Sequence, residues 1–366
     1  TFAKLNLEPD DDSKLALIYS SLEQNGTQDP LGQTWAGYKA DPRSVSSNAL
    51  AYNTRKSIDH QQVGMNYERY IGDATLQVNA YTGRRSVIQY LSIPKGTPTN
   101  ELGGGGVVQF DRKFYGGGVR WMQPIDSVPG ELMIITGLDF DQSEDSRHGY
   151  KNYNGNTLGV KGELRRNEID TARSLDPYIQ ANWAIDRWTL QAGVRHSTME
   201  LDVNDKFFSN GNGDASGNKT YQKNTPSVSV MYAFTPDLHG YISAGKGFET
   251  PTQAELAYAP GDIEGFNFGL KPSESTQYEV GLKAQVNNST RVNAAVFQIT
   301  TEDELVVNAS KDGRTSYQNA GRTLRRGFEL GIESQLSEQW SANLAYTRLQ
   351  ATYDSNFSNS GKTVEK

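Results

Sequence analysis

Three basic clusters carry the residues with the most chemistry: Arg84-Arg85, followed by Gln89 and Tyr90; Arg147-His148 with Tyr150; and Arg165-Arg166. A guanidinium fork pairs bidentately with carboxylates and stacks on flat rings. Arg and Tyr gathered in one place therefore suit a planar anionic ligand. The plainer reading is that these charges hold loops together or meet lipopolysaccharide phosphates. Other chemistry is thin. His60, His148, His196 and His239 lack metal-ligand spacing, and no G-x-S-x-G elbow is present. With no Cys there is no thiol nucleophile, disulfide scaffold or Cys-ligated zinc. The runs Gly103 to Gly106 and Gly116 to Gly118 are not phosphate loops, since no Lys-Ser/Thr follows. The second run is expected on an inward strand, leaving room in a lumen or permitting curvature. Gly211-Asn212-Gly213-Asp214 reads as a flexible loop, not a calcium repeat. No catalytic or metal site is expected, and the chain is not expected to be an enzyme.

The elements that must position these groups are strands. Leu76, Val78 and Ala80 alternate with Gln77, Asn79 and Tyr81. Leu190, Ala192 and Val194, then Val292, Ala294 and Val296, then Phe328, Leu330 and Ile332 alternate in the same way. Very short turns fall at Ile185-Asp186-Arg187, Thr235-Pro236-Asp237, Asn287-Asn288-Ser289 and Ser337-Glu338. Long polar stretches lie between them, at 25–48, 91–106, 144–170, 205–219, 249–272 and from 355 onward. About fourteen long strands, with tight turns at one end and long loops at the other, predict an all-β, transmembrane antiparallel β-barrel. Trp183 and Trp188, Tyr232, Phe234 and Tyr241, and Trp340 flank the short turns, as an aromatic girdle at a lipid boundary does. The net charge is -7 with both signs interspersed, so no basic footprint for nucleic acid is present. The longest apolar run, Leu132 to Leu138, is interrupted by Thr136 and Gly137 and falls short of a spanning helix.

Three segments resemble TonB-dependent outer-membrane receptors. Gly245-Lys246-Gly247-Phe248-Glu249-Thr250-Pro251-Thr252 with Glu255-Leu256 is similar to a mid-barrel segment of that family. Leu270-Lys271-Pro272-Ser273-Glu274-Ser275 with Glu279-Val280-Gly281-Leu282-Lys283 resembles the strand that follows it. Asn319-Ala320-Gly321 with Arg325-Arg326-Gly327-Phe328-Glu329-Leu330 resembles the next descending strand. Gln89-Tyr90-Leu91-Ser92-Ile93-Pro94, Leu164-Arg165-Arg166-Asn167-Glu168, the 265–273 segment and Gly313-Arg314-Thr315-Ser316-Tyr317 resemble one subgroup, the outer-membrane transporter of pyrroloquinoline quinone (PQQ).

The resemblance implies a plugged barrel of about 22 strands that imports a scarce ligand with energy delivered by TonB. All of 1–366 is then expected to be a partial barrel domain in the Gram-negative outer membrane. The plug with its TonB box and the C-terminal strands are expected to lie outside it. The expected cargo is PQQ, a planar quinone with carboxylates; a ferric-siderophore receptor is the alternative on the same fold. A passive porin and a barrel enzyme are the readings from other classes. Expected partners are TonB, outer-membrane lipids, lipopolysaccharide and the small ligand, with a monomeric barrel. The ligand-facing candidates are Arg84, Arg85, Tyr90, Arg147, Tyr150, Arg165, Arg166, Phe248 and Tyr258. The motif residues implied by the resemblance are Gly247, Phe248, Glu249, Pro251, Arg326, Gly327 and Glu329.

Overall fold

A computed structural model describes residues 1–101, 103–208, 214–259, 266–311, 314–359 and 362–364. Gly211, Asn212, Gly213, Gly265 and Gly313 of the sequence motifs lie outside the described residues. Fourteen strands form one sheet in which each pairs antiparallel with its neighbours in chain order. They are β1 (Phe2–Asp10), β2 (Ser13–Gln28), β3 (Arg55–Ile71), β4 (Ala74–Tyr90), β5 (Val107–Ile125), β6 (Glu131–Tyr150) and β7 (Leu164–Ile185). The series continues with β8 (Trp188–Asp205), β9 (Gly217–Thr235), β10 (Leu238–Glu249), β11 (Ser273–Asn287), β12 (Thr290–Glu302), β13 (Thr323–Gln335) and β14 (Ser341–Tyr353). The tight turns that join these fourteen strands fall at one end. Gly72 and Asp186 take them at φ +59° and +50°, which glycine adopts freely and aspartate tolerates.

Strand register separates two faces. Val78, Val119, Leu138 and Pro177 stand directly opposite one another across β4 to β7. Ile179 opposes Val194, and Ile242, Val280, Val296 and Phe328 form a second such row across β10 to β13. Most of these side chains are exposed. A continuous band of exposed apolar side chains on one face of a long meander is a lipid-facing surface. At its short-turn edge the rings of Trp188 and Tyr232 lie 4.6 Å apart, and Phe234 meets Tyr232 edge-on at 5.2 Å. These three are girdle residues, whereas Tyr241, expected with them, alternates with the outward Ile242 and lies on the inner face.

On the inner face, aromatic side chains lie over glycines of the adjacent strand. Phe114 covers Gly83, Tyr178 covers Gly137, Tyr241 covers Gly281 and Phe297 covers Gly327; a Cβ at any of these glycines would overlap the ring. Gly116 and Gly118 do face inward, but they leave no open lumen. Tyr81 donates its hydroxyl proton to Asp141 in the space beside Gly116, and Asp139 fills that beside Gly118.

The 144–170 stretch is not the long loop its polarity implied. Strand β6 runs on to Tyr150 and β7 begins at Leu164. A membrane crossing takes about 9–11 strand residues, whereas β7 has 22. Beyond Phe140 and Leu175, polar residues occupy both faces, because these ends stand clear of the apolar band. A hairpin from Leu305–Lys311 and Arg314–Asn319 adds a further outer element that composition alone did not mark.

Candidate functional site

The outer ends of the strands carry two packed loop groups. In the first, loops 29–54, 91–106 and 151–163 meet. Asn100 and Asn152 are both fully buried at 0% exposure. Asn100 Nδ2 donates to the Ile93 and Pro94 carbonyls and to Asn152 Oδ1, at 2.9, 3.0 and 3.0 Å. Asn152 Nδ2 donates to the Leu91 and Ile93 carbonyls. Tyr52 ties in the first loop by accepting from the Lys95 amide. Lys151 bridges Glu101 and Glu163 at 3.0 and 2.9 Å. Hydrogen bonds from Tyr153 and then Lys151 hold Glu101 below the usual carboxylate range, and Lys151 does the same to Glu163.

The second group is built by the mid-barrel motif. Thr252 and Glu255 form a reciprocal capping box at the short helix Gln253–Leu256. That turn drives Leu256, at 0% exposure, between Leu201, Tyr221 and Leu270. Phe248, partly buried, packs against the same cluster. Pro251 is buried as well. Asn319 clamps the base of the loop, donating to the carbonyls of Lys271 and Asp303 while accepting from the Lys271 amide. Of the remaining motif residues, Gly247 faces the Ser275 side chain, Glu249 pairs with Ser273 in the ladder, and Glu329 stands two positions from Gly327 on the inner face.

The two-residue period splits the basic pairs. Arg84 shares the face of Val78, outside, and donates to Gln61 at 2.9 Å. Tyr90 lies on that outer parity too, stacked under Arg55 at 3.6 Å. Tyr150 also falls on the outer parity, capped by Lys161 at 3.9 Å. Arg326 is outside, donating to Gln298. Inside stand Arg85, Arg147 and Arg166. Arg165 is the extra residue of a bulge at the start of β7, against Phe207 at 5.6 Å.

Arg147 and Arg166 belong to a network that sequence reading missed. Arg112 forks onto Asp145 with two bonds of 2.6 Å. Arg147 reaches Glu168 at 3.2 Å and Asp170 at 3.7 Å, while Arg166 lies 3.6 Å from Glu168. Asp170 is 2% exposed; burial, then the charge of Glu168, pushes its carboxyl up to about 7 against the pull of Arg147 and Arg166. Arg166 also stacks on Tyr258 at 5.2 Å, with Gly104 close beside both. It joins the first loop group to the second. Among the basic clusters, most of the charge is therefore spent on wall and loop architecture. Only the alternation already visible at Leu76, Val78 and Ala80 could have sorted Arg84 from Arg85 in advance.

Residues 4–366 match the family model described as TonB dependent receptor-like, beta-barrel. The chain belongs to this family. The barrel lies in the outer membrane, its apolar band facing lipid. Among similar proteins, the metal-pseudopaline receptor CntO of Pseudomonas aeruginosa is 27% identical over 209 residues, which is 56% of this chain and 28% of that protein. The ferric citrate transporter FecA, in its unliganded form, superposes with a TM-score of 0.73 at 16% identity over 96% of this chain and 51% of FecA. The siderophore receptor PiuA of Acinetobacter baumannii gives 0.71 at 15% identity, over 100% of this chain and 58% of PiuA. This barrel chain thus spans about half the length of the solved structures it matches.

Proposed function

We propose that this barrel serves TonB-coupled uptake of a small anionic ligand across the outer membrane, and that the ligand is PQQ. The carrying observation is the inner wall between β3 and β7, where guanidinium groups and aromatic faces line the side that no lipid reaches. A flat tricarboxylic quinone complements that surface by paired hydrogen bonds and stacking. The segments at 89–94 and 164–168 resemble PQQ transporters, and the second carries Arg165 and Arg166 at the outer end of this wall, which supports the reading. TonB, acting through a plug, supplies the energy; the barrel works as a monomer in lipid and lipopolysaccharide. We assign it no catalytic role.

A second reading, uptake of a metal chelate, is favoured by the names of the relatives, since CntO is a metal-pseudopaline receptor and PiuA a siderophore receptor. Calorimetric titration of the full-length protein in detergent separates the two, with PQQ, a ferric siderophore and cobalamin as titrants. Binding of PQQ alone is the expected result. Binding of the siderophore with no PQQ heat overturns the PQQ reading and leaves the receptor class in place.

A further inference from the structure

One inward row crosses five strands: His60, Arg85, Arg112, Asp145 and Asp170 stand directly opposite one another in turn. Its two ends differ in charge balance. Asp145 and Asp170 serve Arg112 and Arg147, at 2.6 and 3.7 Å. Arg85 has no such partner. Among the described residues it pairs with no carboxylate, its Nε is enclosed without a hydrogen-bond acceptor, and the enclosed Nδ1 of His60 opposite it has no partner. Arg85 also faces the like charge of Arg112 across the ladder. Directly opposed like charges destabilise a sheet, and a buried polar group without a partner costs about 1–3 kcal/mol. An anion at the Arg85 guanidinium would relieve the like-charge contact.

We propose that Arg85 and His60 form an anchor on the inner wall for a carboxylate of the transported ligand, a role that rests on the uptake reading above. A carboxylate here takes charge-assisted hydrogen bonds from Arg85, which no carboxylate of the described residues holds. Phe114 makes the site suited to a flat acid. Its ring stacks on His60 with centroids 5.8 Å apart and planes 9° from parallel, and it occupies the space that a Cβ on Gly83 would take. Arg112, Arg147 and Arg166 are wall residues in this assignment, each already held by a carboxylate. Arg84, adjacent in sequence, is excluded because it faces outward.

The test is calorimetry on the full-length protein with two probes, PQQ and citrate, the latter a metal-free tricarboxylate. Arg85→Gln is expected to weaken both by at least about tenfold, with Arg84→Gln matching wild type. Should Arg85→Gln fail to fold, Arg85→Lys keeps the charge, loses the fork and is expected to weaken both probes by a smaller factor. Citrate binding without PQQ binding refutes the PQQ reading while the anchor stands, provided Arg85→Gln weakens citrate by that factor. Equal affinity in wild type and the Arg85 variant, or no binding of either probe by wild type, overturns the anchor.

Discussion

The twin asparagines make the first loop group one cooperative unit, and Asn100→Ala tests this. The substitution deletes the bonds, 2.9–3.0 Å long, by which the two Nδ2 hydrogens serve three acceptors from a side chain with no solvent exposure. Each is worth about 0.5–1.5 kcal/mol net, and stranding the buried Asn152 Oδ1 adds about 1–3 kcal/mol. Allowing for relaxation, the local loss is about 2–5 kcal/mol, which is roughly 30-fold or more in the opening equilibrium. Hydrogen exchange on the full-length protein reads it directly. The amides of Gly103 and Gly105, which donate to Pro98 and Thr99, and those of Lys151 and Gly159 in the partner loop, should all exchange faster by that factor. The hairpin 305–319 should not change. Faster exchange in 91–106 with full protection retained in 151–163 would refute the cooperative unit, because Asn152 would then be holding its loop without Asn100. The double variant with Asn152→Ala should cost less than the sum of the singles.

Leu256→Ala should cost about 2–5 kcal/mol locally and speed exchange in both 253–259 and 305–319; a change confined to 253–259 would contradict the shared core seen around Leu256. The hairpin should also loosen in acid. Arg325, and then Thr323, hydrogen-bond Glu304 and hold it below its ordinary 4.5 against the opposing effect of burial. A depressed carboxylate contributes stability that is fully present above its unfolded value and lost as pH falls through the folded one. Proteolysis at the hairpin should therefore rise between neutrality and about pH 3, and Glu304→Gln should flatten that dependence. An unchanged wild-type cleavage rate across the range would count against it.

Hydrophobic alternation made the barrel legible because one face meets lipid: the strands, the turns at 186, 236, 288 and 337 and the girdle all follow from it. The same signal fails where lipid ends. In 142–150 and 164–173 neither face needs to be apolar, so extended strand looks like loop. Adjacent arginines look like one site in sequence, yet a period of two sends Arg84 and Arg85 to opposite faces. The ion pairs of Arg112 and Arg147 were out of reach, since each joins neighbouring strands whose register the sequence does not state. The packing of Phe248 was out of reach for a related reason: the cluster it meets draws Leu201, Tyr221, Leu256 and Leu270 from separate segments.

The inner aromatics resting on glycines have a consequence for assembly. A slip of one residue between two strands turns the apolar face inward and is rejected by lipid. A slip of two keeps every side chain on its correct face, and alternation cannot detect it. The ring-over-glycine pairs can: moved by two, Tyr178 meets Ile135 or Asp139 instead of Gly137, and Phe297 meets Arg325 or Glu329 instead of Gly327. Each such strand pair thus carries a peg and a single notch that admits it, and these check the even-numbered errors that the membrane lets pass.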